Sequence, residues 1–125
     1  MGTSNAMNDK VTITTNSQIW NRDAAVARLG GNEGLLNRIV EMFLAQIKEK
    51  QHALHEGVKA QDAESIRFHS HSMKGASGDV GADALREKAS SIEIQAKQAN
   101  LENIEEELVA LDALIADTVN AMQKL

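Results

Sequence analysis

Histidine is the residue type best suited to covalent chemistry in this sequence, because the chain contains no cysteine and no tyrosine. His69 and His71 open a segment that reads His-Ser-His-Ser-Met-Lys-Gly-Ala-Ser-Gly-Asp-Val-Gly and ends at residue 81. Gly75 and Gly78 fall inside a helix predicted over this segment, where each glycine costs about 1 kcal/mol relative to alanine. A chain otherwise rich in helix formers does not need that cost for packing alone. The glycines therefore indicate a site.

On a helical wheel with about 100° per residue, His71 faces away from the predicted core. The core stripe lies about 180–260° from His71 and consists of Ile66, Ser70, Met73, Ser77 and Val80. The side chains and glycines that lie on or near the histidine's own face are Arg67, Phe68, Lys74, Gly75 and Gly78. An apolar ring, two cations and two glycines thus surround an exposed imidazole.

This face suits phosphoryl transfer to a histidine. An exposed imidazole is a usable nucleophile near neutral pH. We expect the neighbouring cations to favour an unprotonated ring and then to balance the charge of an incoming phosphoryl group, with Lys74 one turn away. The two glycines leave the ring without side-chain neighbours, so a phosphorylated partner could approach in line.

Less specific interpretations of the same residues stay open. His71 could be an ordinary surface histidine, and His69 competes with it as the acceptor. Position on the wheel and spacing to the following lysine and glycine favour His71, so we expect His69 to be structural. Arg67 and Lys74 could be solvated charges, and the glycines could allow close packing of helices.

A metal site is the other chemical alternative. Glu49 and His52 have the Glu-x-x-His spacing of carboxylate-bridged metal sites in some helical bundles. Such sites need a second copy of the motif, which the sequence lacks, and His52 with His55 could bind a metal only weakly. No glycine-rich phosphate loop follows a strand, so no nucleotide site is visible. We expect no bound metal or cofactor.

The rest of the chain predicts the helices that hold this site. The 125 residues include no proline, and aromatic residues make up 2%, which argues against most β-sheet folds, while 42% are hydrophobic. A short helix should follow an N-cap at Asn21 and end at Leu29, before two glycines. Four long helices with apolar stripes are predicted at about 33–58, 63–81, 82–99 and 102–124. We therefore predict an all-α protein, an antiparallel four-helix bundle whose short N-terminal helix caps one end, with Trp20 or Leu29 as the plug.

Composition also excludes several classes. The net charge of −5 argues against a general nucleic-acid binder, and no apolar stretch approaches the roughly 20 residues of a membrane span. The lack of cysteine removes disulfides and zinc–thiolate sites and fits a cytoplasmic protein. Residues 1–6 resemble the remnant of an expression tag. Residues 7–18 read as a flexible lead-in, and the domain itself is predicted to span residues 19–125.

The run His71-Ser72-Met73-Lys74-Gly75 resembles the His-x-Leu/Met-Lys-Gly signature of histidine-containing phosphotransfer (HPt) domains. The family's pattern continues downstream in this sequence, which has similar residues at Gly78, Gly81, Leu85 and Ile92-Glu93. An upstream stretch also resembles the start of the family's pattern, namely Leu29-Gly30-Gly31-Asn32-Glu33 with Leu35-Leu36 and Phe43-Leu44. The resemblance covers roughly residues 20–125. Met73 stands for the commoner leucine, a tolerated change in shape.

The resemblance implies a role for each matching residue. His71 would accept the phosphoryl group, Lys74 would stabilise it, and Gly75 would give access to the ring. The surrounding surface, with Arg67, Phe68 and Gly78, would dock receiver domains of response regulators.

The resemblance also implies what the chain does as a whole. It would be a carrier in two-component signalling rather than an enzyme with its own ATP site, working with a hybrid sensor histidine kinase. Magnesium would belong to the partner receiver. A monomer is expected. The rival functions are a helical bundle that only docks partners and a metal-binding bundle centred on His52.

Overall fold

The computed structural model describes residues 15–124, and these form six helices with no strand among them. The helices are α1 (Asn16–Ile19), α2 (Arg22–Arg28), α3 (Glu33–Lys59), α4 (Ala63–Val80), α5 (Asp83–Lys97) and α6 (Ile104–Gln123). The four long helices α3–α6 confirm the predicted all-α bundle, and α2 is the predicted short helix. The tag-like residues 1–6 and residues 7–14 of the predicted lead-in lie outside the described residues.

Helix α1 is the element that the sequence analysis did not predict. It occupies residues 16–19, most of which were assigned to a flexible lead-in. Thr15 begins it with a reciprocal cap: its hydroxyl accepts the backbone N–H of Gln18, and the Gln18 side chain accepts the backbone N–H of Thr15. Four residues carry too little periodicity to predict a helix, so only this cap could have indicated it.

The ends of the other helices follow from local side chains. Asn21, Asn32 and Asp62 each accept a hydrogen bond from the backbone amide three residues later, which makes all three N-caps and confirms the one predicted at Asn21. Gly81 ends α4 with φ +83°, the left-handed conformation that glycine adopts without strain. Helix α6 begins two residues later than predicted, with three glutamates in its first turn that suit the positive end of the helix dipole.

The long helices pack around a single core. Each contacts the next one along the chain, and α6 returns to contact α3, which closes the bundle. The most deeply buried large side chains come from all four of them and are Leu36, Ile47, Leu54, Ile66, Met73, Val80, Leu85, Ile92, Ile104 and Leu111. Helix α4 lies between α3 and α5, so one stripe of it is buried and the opposite stripe faces outward.

The short helices cover the end of the bundle where α4 terminates. The indole N–H of Trp20 donates to the carbonyl oxygen of Val80 at 2.9 Å, and the backbone N–H of Asn21 donates to that of Gly81 at 2.8 Å. Trp20 and Leu29 both pack, half-buried, against the core. Both candidates for the plug therefore contribute to it, and the C-terminal end of α4 is held in place.

Candidate functional site

His71 lies on the outward face of α4, with 63% of its side chain exposed. Gly75 follows one turn later on the same helix and is also exposed. A Cβ added at Gly75 would meet no atom within 4 Å outside its own helix backbone. One side of the imidazole therefore opens to solvent next to bare backbone, as the sequence predicted.

The other side of the imidazole contacts a buried carboxylate on the neighbouring helix. Nδ1 of His71 lies 2.8 Å from Oε2 of Glu93, a residue of α5 that is only 3% exposed. Nζ of Lys74 lies 2.7 Å from Oε1 of the same carboxylate. The Glu93 carboxylate thus joins the histidine and the lysine, one on each oxygen.

The charge on Glu93 sets the protonation of the ring nitrogen that touches it. Burial by itself raises the pKa of this carboxyl, but hydrogen bonds from Lys74 and His71, together with their charges, hold it below its usual value. The carboxylate is therefore ionised at neutral pH and can only accept hydrogen bonds. Nδ1 must carry the proton in this contact, and a neutral ring then has its lone pair on Nε2.

The expectation that cations flank the ring directly needs correction. The charged group in contact with Nδ1 is the Glu93 carboxylate, and Lys74 binds the other oxygen of that group. Arg67 is paired within its own helix, donating to both oxygens of Glu64 at 3.2 and 2.6 Å. The ring is thus oriented by an anion on α5, and the two predicted cations pair with carboxylates, Lys74 with Glu93 and Arg67 with Glu64.

The remaining predicted residues differ in their surroundings. Phe68 is 59% exposed and its ring meets that of His69 edge-on, with 5.1 Å between centroids. His69 is half-buried. Gly78, unlike Gly75, is not open: an added Cβ would lie 3.0 Å from Cδ of Arg86. Close packing therefore accounts for Gly78 at least in part.

A groove lies beside this face, between α2, α3 and α4. Its volume is about 360 Å³, and its α4 wall begins at Ala76, directly after Gly75. Leu29, Ile39 and Phe43 supply apolar wall, and Met42 at its edge is 59% exposed. Arg28 lines the groove too and donates to the carbonyl oxygen of Gly78 at 3.1 Å.

Glu93 is the site residue whose role the sequence analysis missed. It appeared there only within a longer pattern. The sequence feature that could have identified Glu93 is its position in α5, where it lies in the buried stripe with Ala89, Ile92 and Ala96. A carboxylate in such a stripe needs a buried partner, but the partners come from another helix.

The metal alternative gains no support. His52 is exposed, and Nε2 of His55 lies 2.9 Å from both carboxylate oxygens of Asp112. Within residues 15–124, no three histidine, aspartate or glutamate side chains come together as a metal site would require. In the same region, no helix combines the length and apolar character needed to cross a membrane.

Comparison with known proteins gives two matches. Residues 38–123 match the family model described as Hpt domain, a stretch that includes His71, Lys74 and Glu93. The fold is similar to that in the crystal structure of histidine-containing phosphotransfer protein B (HptB) from Pseudomonas aeruginosa PAO1, with a TM-score of 0.72 and 23% sequence identity over 82% of this chain and 90% of that one. A search of curated proteins finds no match.

Proposed function

Because this chain belongs to the Hpt domain family of histidine phosphotransfer proteins, we propose that it is a phosphorelay intermediate. His71 accepts a phosphoryl group from the aspartate of one receiver domain. The protein then passes that group to the receiver domain of another response regulator. The observation that carries the proposal is the contact between Nδ1 of His71 and the buried carboxylate of Glu93 at 2.8 Å. That contact orients the ring and leaves Nε2 as the nitrogen outside it, on a side chain that is 63% exposed.

The transfer step needs no base. The lone pair on Nε2 of His71 attacks the phosphorus of the aspartyl phosphate, a nitrogen–phosphorus bond forms, and the bond from phosphorus to the aspartate oxygen breaks. The aspartate leaves as a carboxylate. The ring keeps its proton on Nδ1 and becomes positively charged, and the ionised Glu93 stabilises that charge as it develops. The reverse sequence of bond changes delivers the phosphoryl group to the next aspartate.

Lys74 and Gly75 supply a cation for the phosphoryl oxygens and open access to the ring. The phosphoryl group carries its charge on three equatorial oxygens during transfer, and the Lys74 ammonium, held by Glu93 at 2.7 Å, is the cation one turn away. Gly75 adds no side chain between Nε2 and the incoming partner. Bare backbone there lets a receiver bring its aspartyl phosphate into line.

The docking surface proposed for the receiver surrounds this point. Phe68 is an exposed aromatic ring and so an apolar anchor. Gly78 lies between Arg28 and Arg86, whose charges suit an acidic partner. Arg67 would contribute at the rim despite its pairing with Glu64. The apolar groove that begins at Ala76 would take a side chain of the receiver.

The remaining features of the relay belong to the same proposal. The chain acts as a carrier, and the phosphoryl group reaches it by way of a hybrid sensor histidine kinase. Any magnesium is held by the partner receiver. We propose a cytoplasmic monomer, in keeping with the composition and with one exposed reactive face.

Phosphotransfer from a labelled receiver domain tests the proposal. Wild type should take up the label, His71→Gln should not, and the matched control His69→Gln should behave as wild type, since His69 lies outside the Glu93 contact. Equal labelling of wild type and His71→Gln would overturn the assignment of His71. Absence of label from all three proteins, with binding to the receiver retained, would favour the non-phosphorylated docking module instead.

A further inference from the structure

A third cation shares the carboxylate that orients His71. Lys97 lies one turn after Glu93 on α5, and its Nζ is 3.7 Å from Oε2 of Glu93. That oxygen also accepts the hydrogen bond from Nδ1 of His71. The Lys97 ammonium is thus separated from the imidazole by a single carboxylate oxygen.

The two lysines at Glu93 are held differently. Nζ of Lys74 contacts Oε1 at 2.7 Å, and 31% of that side chain is exposed. Lys97 has the longer contact and is 58% exposed. At 3.7 Å its ammonium is beyond good hydrogen-bond distance, so the attraction is mainly electrostatic. Its flexible stem can turn toward another anion at little cost.

Charge balance at the site changes when a phosphoryl group is added. In the free protein, a single carboxylate faces one imidazole and two ammonium groups. A phosphoryl group on Nε2 of His71 brings charge of about −2 and three acceptor oxygens. Glu93 is still needed at Nδ1, where the ring has become positive, so the new oxygens are open to the lysines.

We propose that Lys97 is a second phosphoryl-binding residue, which turns from Glu93 to the phosphoryl oxygens once the nitrogen–phosphorus bond at His71 has formed. Lys74 and Lys97, which contact different oxygens of Glu93 in the free protein, then both bind the phosphoryl group. This inference rests on the proposed function of His71. It assigns to Lys97 part of the stability of the phosphorylated form.

Three variants separate this role from a structural one. Lys97→Gln removes the charge, Lys97→Arg keeps it, and Lys88→Gln is the matched control, because Lys88 lies on the same helix and pairs at 3.0 Å with Glu107, away from His71. Each variant is mixed with a phosphorylated receiver, and the equilibrium fraction of labelled protein is measured at low and high salt. The ¹⁵N signals of the His71 ring in the unphosphorylated variants report whether Nδ1 keeps its proton.

We expect Lys97→Gln to lower the equilibrium constant for uptake by about two- to fivefold at low salt, which is the range for an exposed ion pair. High salt should shrink the effect, since exposed charges are screened. Lys97→Arg should restore uptake, Lys88→Gln should match wild type, and the His71 ring signals should be unchanged. Uptake by Lys97→Gln equal to that by Lys88→Gln would overturn the role of Lys97 alone. Failure of wild type to accept label would instead overturn the proposed function, and this inference with it.

Discussion

Replacing Glu93 by glutamine tests the electrostatics of the site most directly. Glutamine keeps the size of the side chain but has one acceptor oxygen, so its amide N–H₂ group must face either the Lys74 ammonium or Nδ1 of His71. Each charge-assisted hydrogen bond contributes about 1 kcal/mol more than a neutral one. Both partners are partly exposed, at 31% and 63%, and regain water when the charge is lost. We therefore expect Glu93→Gln to lower the free energy of unfolding by about 1–2 kcal/mol at pH 7.

The sign of the pH dependence follows from the pKa of Glu93, which is lower in the folded protein than its ordinary value of 4.5. Folding therefore favours the ionised carboxylate. The stabilisation is complete above pH 4.5 and is lost as the pH falls through the folded-state pKa, where wild type takes up a proton. The difference between wild type and Glu93→Gln should thus be largest near neutral pH and shrink below pH 4.5.

Urea denaturation followed by circular dichroism, from pH 7 down to pH 3, measures this difference. Glu107→Gln is the matched control, since Glu107 pairs with Lys88 at 3.0 Å but is 21% exposed and its ion pair is worth about 0.2–1 kcal/mol. A loss in Glu93→Gln that does not depend on pH, or that is no larger than the loss in the control, would refute the argument that a buried ionised carboxylate holds His71 and Lys74.

Two further predictions concern the glycines Gly75 and Gly81. Gly75→Ala should raise the free energy of unfolding by up to about 1 kcal/mol, because an added Cβ meets open space. Gly75→Leu should fold equally well but accept phosphoryl groups more slowly, and normal transfer by this variant would rule out the role of Gly75 in access. Gly81→Ala should lower the free energy of unfolding by more than the roughly 1–2 kcal/mol of a left-handed non-glycine residue, because its Cβ would lie 2.7 Å from the carbonyl oxygen of Asn21. Gly31→Ala is the control, with φ +84° and open space around it, and equal losses in the two variants would mean that the contact with Asn21 relaxes without cost.

Sequence reasoning succeeded where the determining interactions are local. The predicted N-cap Asn21 begins its helix by accepting a hydrogen bond from the amide three residues later, and that spacing can be read along the chain. The outward position of His71 likewise depends only on the periodicity of α4. Both features follow from residue order and a regular backbone.

The missed features depend on which helices become neighbours. Glu93 contacts His71 across the α4–α5 interface, from 22 residues further along the chain, and a wheel for one helix cannot show that contact. Gly78 likewise lies off the core stripe of α4, yet Arg86 of α5 packs beside it. In both cases the outward face of one helix is partly covered by the next.

The covered end of α4 has a consequence for where this protein can be divided. The family match begins at residue 38, yet the groups that satisfy the carbonyl oxygens of Val80 and Gly81 belong to Trp20 and Asn21. A fragment trimmed to the matched residues would leave both oxygens to water and uncover the apolar surface against which Ala25 is buried. The limits of the unit that folds are therefore wider than the limits of the family match, and the contacts that the match leaves out lie at the end of the helix that carries His71.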